Sequence, residues 1–429
     1  MRPIEWSTLS RQERNAALAR PAMRRDEKLV AFVARVFADV EARGEAAVRA
    51  WAIDIDKQEP RTIELRSTEI DRARAQLEAE DLAALELAIA NVHAYHQATA
   101  PTETVVALRP GLTCVRTWKP IPACGLYVPG GSAPLFSTLY MLAIPAQVAR
   151  VPVLEALTPP NRDGMVHPMI IVTAALAGLE RLRVLGGAQA IAALTFGAGV
   201  AKADKIFGPG NAYVTEAKRF AAALPGGPQI DTPAGPSELM IIADELARAD
   251  VVAADLLSQA EHDADAQVLL VATNSAIAQA VIAELERQVV SLPRAAIARA
   301  SLAQARVLVA SDASEAVDIA NAYAAEHLIL NVREPGALAA RITNAGAIFL
   351  GAYSAESFGD YLAGPSHVLP TDGAARAWSG VSVASFMKST SLQTLDASAA
   401  AALAPAAARL ARLEGLEAHA RAADLRAQA

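Results

Sequence analysis

From about residue 107 the chain changes rhythm. Short runs rich in Val and Ile begin to alternate with Ala-rich stretches of helical length. The strand-like runs are Val151–Leu157, Leu182–Leu185, Leu239–Ala243, Gln267–Ala272, Arg306–Ala310, Leu328–Val332 and Ala347–Leu350. Helix-like spacing fills 168–178, 187–197, 248–261, 275–290, 312–325 and 335–343. A strand, a helix of this length and a further strand close as a right-handed βαβ crossover, so the sheets are expected to be mostly parallel. There are strands enough for two of them, which makes the expected class α/β.

The flanks read differently. Residues 1–25 are polar and suggest a helical arm, and 28–56 and 67–98 space their apolar residues as helices do. The Pro- and Gly-dense segment PGGPQIDTPAGP (225–236) reads as a crossing between domains, and Ala, Leu and Arg dominate a helical 396–429 that breaks at Gly415. The stretch 120–149 carries no charge, but its prolines and Gly130-Gly131 disfavour a membrane helix, leaving buried core plus a tight loop.

Composition narrows the function. At 429 residues, 53% apolar and 20% charged, the chain can bury a large core, while a net charge of −7 without any basic cluster argues against nucleic acid. Cys114 and Cys124 lack metal-type spacing and suit a reducing, cytoplasmic setting. The opening MRPIEWSTLSRQERN has no apolar core, so no signal peptide is expected.

Chemistry concentrates in three polar segments. Ala-Glu-His occurs twice, in DLLSQAEHDADAQ (255–267) and AYAAEHLILNV (322–332), and GDYLAGPSHVLPT (359–371) follows. Three of the seven histidines fall here beside Asp, Glu or Gln, which are metal-ligating and acid–base residue types. Gln259 and His262 are three apart and share one face at a helix end; a ligand pair at the mouth of a sheet competes there with a solvated helix end. Glu326 and His327 sit at a helix-to-strand junction, where adjacent side chains should diverge. They read either as two bases with different tasks or as a backbone-bonded His beside an exposed Glu. Asp360 and His367 are the polar residues of a Gly- and Pro-rich loop. His93, His96 and His167 have no polar cluster and read as surface or structural.

Three glycine segments, YVPGGSAPLFST (127–138), GGAQAIAAL (186–194) and GPGNAYVTEAK (208–218), could each turn backbone amides toward a phosphate at a helix start. None is a G-x-G-x-x-G fingerprint.

Taken together, YVPGGSAPLFSTLYMLAIPA, GGAQAIAAL, DKIFGPGNAYVTEAK, DTPAGPSE, DLLSQAEH, AEHL, SFGDYLAGPSHVLPT and LEGLEAHARAADLR resemble the histidinol dehydrogenase family in order and spacing. The resemblance implies two incomplete Rossmann-like domains. The first would comprise 26–106 plus 236–375 and carry metal and catalytic residues; the second, 107–235, would bind NAD; 376–429 would be a dimerisation tail. It implies zinc-dependent oxidation of L-histidinol to L-histidine with reduction of two NAD. The metal ligands carried over are Gln259, His262, Asp360 and His419, with Glu326 and His327 as the catalytic pair. Substrate contacts would be Ser237, His327, Asp360, His367, Glu414 and the metal ligands; NAD contacts would be Tyr127, Gln189 and Asn211. A break at Gly415 would let Glu414 and His419, five residues apart, point the same way; the resemblance further implies that the tail reaches the partner's site in a homodimer, where His419 would complete the zinc site. Two other readings remain: a paralogous NAD-dependent zinc dehydrogenase of another small alcohol, and a non-catalytic zinc or nucleotide-binding protein.

Overall fold

The computed structural model describes residues 1–20, 26–130, 134–232 and 235–427. The strands are β1 (Pro3–Glu5), β2 (Arg61–Glu64), β3 (Thr104–Arg109), β4 (Leu112–Pro120), β5 (Ala123–Tyr127), β6 (Val153–Thr158), β7 (Arg181–Val184), β8 (Lys205–Phe207), β9 (Gln229–Ile230), β10 (Glu238–Ala243), β11 (Gln267–Ala272), β12 (Arg306–Val309), β13 (His327–Asn331), β14 (Ala347–Leu350) and β15 (Met387–Leu395). All seven strand-like runs of the sequence are strands, and the α/β class with mostly parallel sheets holds.

One six-stranded sheet runs β1-β12-β11-β10-β13-β14, with every neighbouring pair parallel. Its central strands β10, β11 and β13 are buried throughout, which explains their unbroken apolar runs. The second sheet runs β2-β7-β6-β5-β8-β9 and is parallel except where β2 meets β7. A three-stranded antiparallel sheet, β15-β4-β3, stands apart.

Two expectations need correction. The segment 26–106 belongs with the second sheet, not with 236–375. Its strand β2 pairs with β7, and its helix Glu27–Arg43 buries Val33, Val36, Phe37 and Val40 against Leu157, Ile191 and Leu194. Helical periodicity gave the apolar stripe of that helix but not the sheet it covers. Among the described residues the opening arm is α-helical at Arg11–Leu18, after a 3-10 turn at Trp6–Thr8; β1 adds an edge strand to the first sheet and Trp6 is buried there. A three-residue strand is too short to show a period. The expected helical tail is present as the helices Ala397–Leu413 and Glu417–Arg426, preceded by β15, which pairs with all nine residues of β4. The break between those helices falls where expected, with Gly415 at φ +76°.

The uncharged 120–149 stretch forms β5 and the helix Phe136–Val148, ten of whose residues are buried; 131–133 lie outside the described residues. Among the described residues no helix is long and apolar enough to cross a membrane.

Candidate active site

Both parallel sheets reverse direction of growth at one point. In the first, β11 and β12 extend one way from β10 and β13 and β14 the other; in the second, the reversal lies between β5 and β8. Ligands in such folds gather at the carboxyl ends of the strands flanking the reversal. The second sheet obeys. Tyr127 ends β5, Gly187 follows β7 and Asn211 follows β8, and all three line one cavity of about 470 Å³. In the first sheet that position is closed by Asp244, whose carboxylate accepts from Leu246 N (2.9 Å) and Arg333 N (2.7 Å).

The polar segments of the first sheet instead meet at its amino edge. Ser237 precedes β10, Gln259 and His262 precede β11, and Glu326 and His327 open β13. With Asp360 and His367 they line a cavity of about 200 Å³, whose far wall is Thr138, Gly208, Lys218 and Asp231 from the carboxyl edge of the second sheet. The mouth expected for Gln259 and His262 is therefore a cleft between the opposite edges of two sheets.

Glu326 and His327 do not diverge. Glu326 Oε2 accepts from Glu238 N at 2.8 Å, and His327 Nδ1 lies 3.3 Å from Glu238 O and 3.7 Å from Glu326 Oε2. Both side chains bond the Glu238 backbone, Glu326 at its N–H and His327 at its carbonyl, and both line the cleft. Both are almost wholly buried. Burial holds Glu326 well above the ordinary carboxylate range, reinforced by the charges of Glu238 and Asp360. Burial also pushes His327 down to about 4, so the imidazole is neutral near pH 7.

Beside Nδ1 of His327 lies a buried carboxyl group that the sequence did not mark. Glu356 Oε1 is 3.2 Å away, and Glu356 is 1% exposed. The Glu238 carbonyl only accepts, so it places the proton on Nδ1 and leaves Nε2 as the basic nitrogen, 3.8 Å from Asp360 Oδ1. His367 is fixed by the Asp360 carbonyl, 2.9 Å from its Nδ1. Glu238, the hub of the pair, is clamped in turn by Arg20, whose Nη2 donates to its Oε2 at 2.8 Å.

Gln259 carries the strongest sign of an absent ligand. Its side chain is fully buried, yet neither the amide nitrogen nor the amide oxygen has a partner. Burying an amide without partners costs about 1–3 kcal/mol per group, so this one is set for a ligand. With His262 and Asp360 in the same cavity it forms an N/O donor set that fits a divalent cation such as zinc. His327, Glu356 and Asp360 also bring potential ligand atoms within 4.8 Å of one another.

Glu414 and His419 are the exceptions. Both are exposed on the tail helices, and neither lines this cavity within the chain. Of the other histidines, His93 is exposed, His96 is buried without a partner, and His167 caps the helix Pro168–Leu176 by accepting from Met169 N at 3.2 Å.

The sequence also missed Lys218 and Asp231. The Lys218 ammonium bonds the Asp231 carboxylate and donates to Gly208 O (2.8 Å), while Gly208 N donates to Asp231 (2.7 Å). Gly208 has φ +112°, and a Cβ there would lie 2.0 Å from the Tyr127 carbonyl. This buried pair thus holds a loop that only glycine can make.

The family model for histidinol dehydrogenase matches residues 19–427. The chain belongs to the histidinol dehydrogenase family. It is 46% identical over 427 residues to a histidinol dehydrogenase of Xanthomonas oryzae pv. oryzae, covering 99% of each chain. It is 44% identical over 429 residues to one of Vibrio vulnificus, covering 100% of this chain and 99% of the relative. The crystal structure of histidinol dehydrogenase from Elizabethkingia anophelis superposes with a TM-score of 0.95 at 40% identity, covering 100% of this chain and 98% of the other. Histidinol dehydrogenases are NAD-dependent oxidoreductases, and the family uses zinc.

Proposed function

We propose that this member of the family oxidises L-histidinol through L-histidinal to L-histidine, reducing two NAD in the last step of L-histidine biosynthesis in the cytoplasm. The single observation that supports it best is the orphaned Gln259 amide facing the same cleft as the buried Glu326–His327 pair. Gln259, His262 and Asp360 would hold zinc, which has no redox chemistry and supplies a Lewis acid that orients and polarises the substrate.

The two proton acceptors divide the work. Removing hydride from the alcohol carbon requires a base for the hydroxyl proton, and the free Nε2 of neutral His327 is that base. Turning the aldehyde into the acid requires water to add to the carbonyl before a second hydride leaves. Glu326, with its affinity for protons raised by burial, takes the water proton. Cys124 is buried and burial pushes its thiol up to about 12, so a thiolate nucleophile has no support. Ser237 and His367 line the same cavity and would hold the substrate's polar groups. Tyr127, Gln189 and Asn211 would hold NAD at the reversal of the second sheet.

Glu414 and His419 act in this reading on the neighbouring subunit of a homodimer. Their exposure in the single chain supports it, as do the exposed Leu410, Leu413 and Leu425 around them. The test is activity with L-histidinol and NAD. NADH should form, a chelator should abolish it, and zinc should restore it. No NADH from the zinc-loaded protein would overturn the proposal, whereas turnover of other small alcohols at the same efficiency would favour a paralogous dehydrogenase.

A further inference from the structure

The cavity at the reversal of the second sheet contains an acidic residue to which no role is assigned. Asp56 caps the carboxyl end of the helix Glu45–Ile55 and lines the cavity beside Tyr127, Gln189 and Asn211. Its Oδ2 accepts from Gln189 Nε2 at 3.1 Å. A carboxylate only accepts, so this bond fixes which end of the Gln189 amide is which. The Gln189 amide oxygen is then left fully buried with no donor. Two acceptors, the Asp56 carboxylate and the Gln189 oxygen, stand in one cavity. The vicinal hydroxyls of a ribose are two donors that match them.

The charge balance points the same way. No Lys or Arg is among the described residues that line this cavity. The neighbouring Lys57 turns its ammonium onto Asp54, with Nζ 3.9 Å from Asp54 Oδ1. A ribose 2′-phosphate adds acceptors and negative charge where acceptors and a carboxylate already stand. We infer that Asp56 is the residue that makes this cavity select NAD over NADP, by accepting from the ribose hydroxyls and repelling a 2′-phosphate.

This rests on the cavity being the nucleotide site, and the experiment separates the two claims. Steady-state kcat/KM is measured with NAD and with NADP for the full-length enzyme and for Asp56→Asn, Asp56→Ser and Asn211→Ser. Asn211 accepts from Tyr213 N and Val214 N as a helix cap; Ser keeps that cap and loses the amide. Both Asp56 variants should narrow the preference for NAD by on the order of tenfold or more, with KM for histidinol unchanged. An equal loss with both nucleotides would mean that Asp56 only braces Gln189, and would overturn the inference alone. If Asn211→Ser leaves KM for NAD unchanged as well, the nucleotide lies elsewhere and both claims fall.

Discussion

Glu356 Oε1 lies 3.2 Å from His327 Nδ1, and both residues are buried in the wall of the cleft. The Glu238 carbonyl sets the tautomer that presents Nε2 as a base, and the Glu356 carboxyl packed against the same nitrogen holds the ring in place, as an orienting group does for a catalytic imidazole. Glu356→Leu should lower kcat for histidinol oxidation by about tenfold to a hundredfold, with KM for NAD unchanged. Glu356→Gln, which keeps an acceptor oxygen of the same shape, should recover much of the loss. Equal kcat in wild type and Glu356→Leu would show that His327 needs no such support.

The buried pair of Lys218 and Asp231 makes a stability prediction. Each is nearly sealed from water, and each also bonds the Gly208 backbone. Removing one partner leaves an uncompensated charge in the interior. Lys218→Met should therefore cost about 3–5 kcal/mol in denaturant unfolding. The double variant Lys218→Met with Asp231→Leu should recover part of that cost. A single variant as stable as wild type would contradict the role given to the pair.

His96 supplies a pH dependence away from the cleft. It is fully buried with neither ring nitrogen bonded, and burial lowers it from 6.5 to about 4. Its folded value lies below its unfolded one. The stability it permits is thus full above the unfolded value and declines as pH falls from about 6.5 toward 4, where the unfolded chain takes up the proton first. His96→Leu should flatten the fall of Tm across that window. An unchanged slope would mean that His96 does not stay neutral in the fold.

How much of this was legible in the sequence differs by feature. The central strands β10, β11 and β13 were plain because two buried faces demand unbroken apolar runs. The strands β8 and β9, three and two residues long, give no such signal. Gln259 was assignable only through family resemblance, since a glutamine ligand has no spacing signature, yet its orphaned amide marks it at once in three dimensions. Glu356 lies three residues before the polar segment that begins at Gly359, so local pattern could not link it to His327 across 29 residues of sequence. The position of the cleft was hidden for a different reason. The rule for open sheets points to strand carboxyl ends, and Asp244 occupies that place in the first sheet.

The tail gives a prediction about assembly. If Glu414 and His419 complete the neighbouring subunit's site, a His419→Ala chain and a His262→Ala chain are each inactive alone. Mixed and reassociated, they should regain activity, because some mixed dimers hold one site with all its ligands. Activity that stays at background in mixtures shown to contain heterodimers would place the tail's residues outside the site.

The division of labour in the cleft is tested most directly by counting NADH formed per L-histidinol consumed, in wild type and in Glu326→Gln. The account predicts two per histidinol in wild type. It predicts close to one in the variant, with histidinal accumulating, because His327 still serves the alcohol while nothing takes the water proton. A variant that slows both oxidations equally and still yields two NADH per histidinol would contradict it.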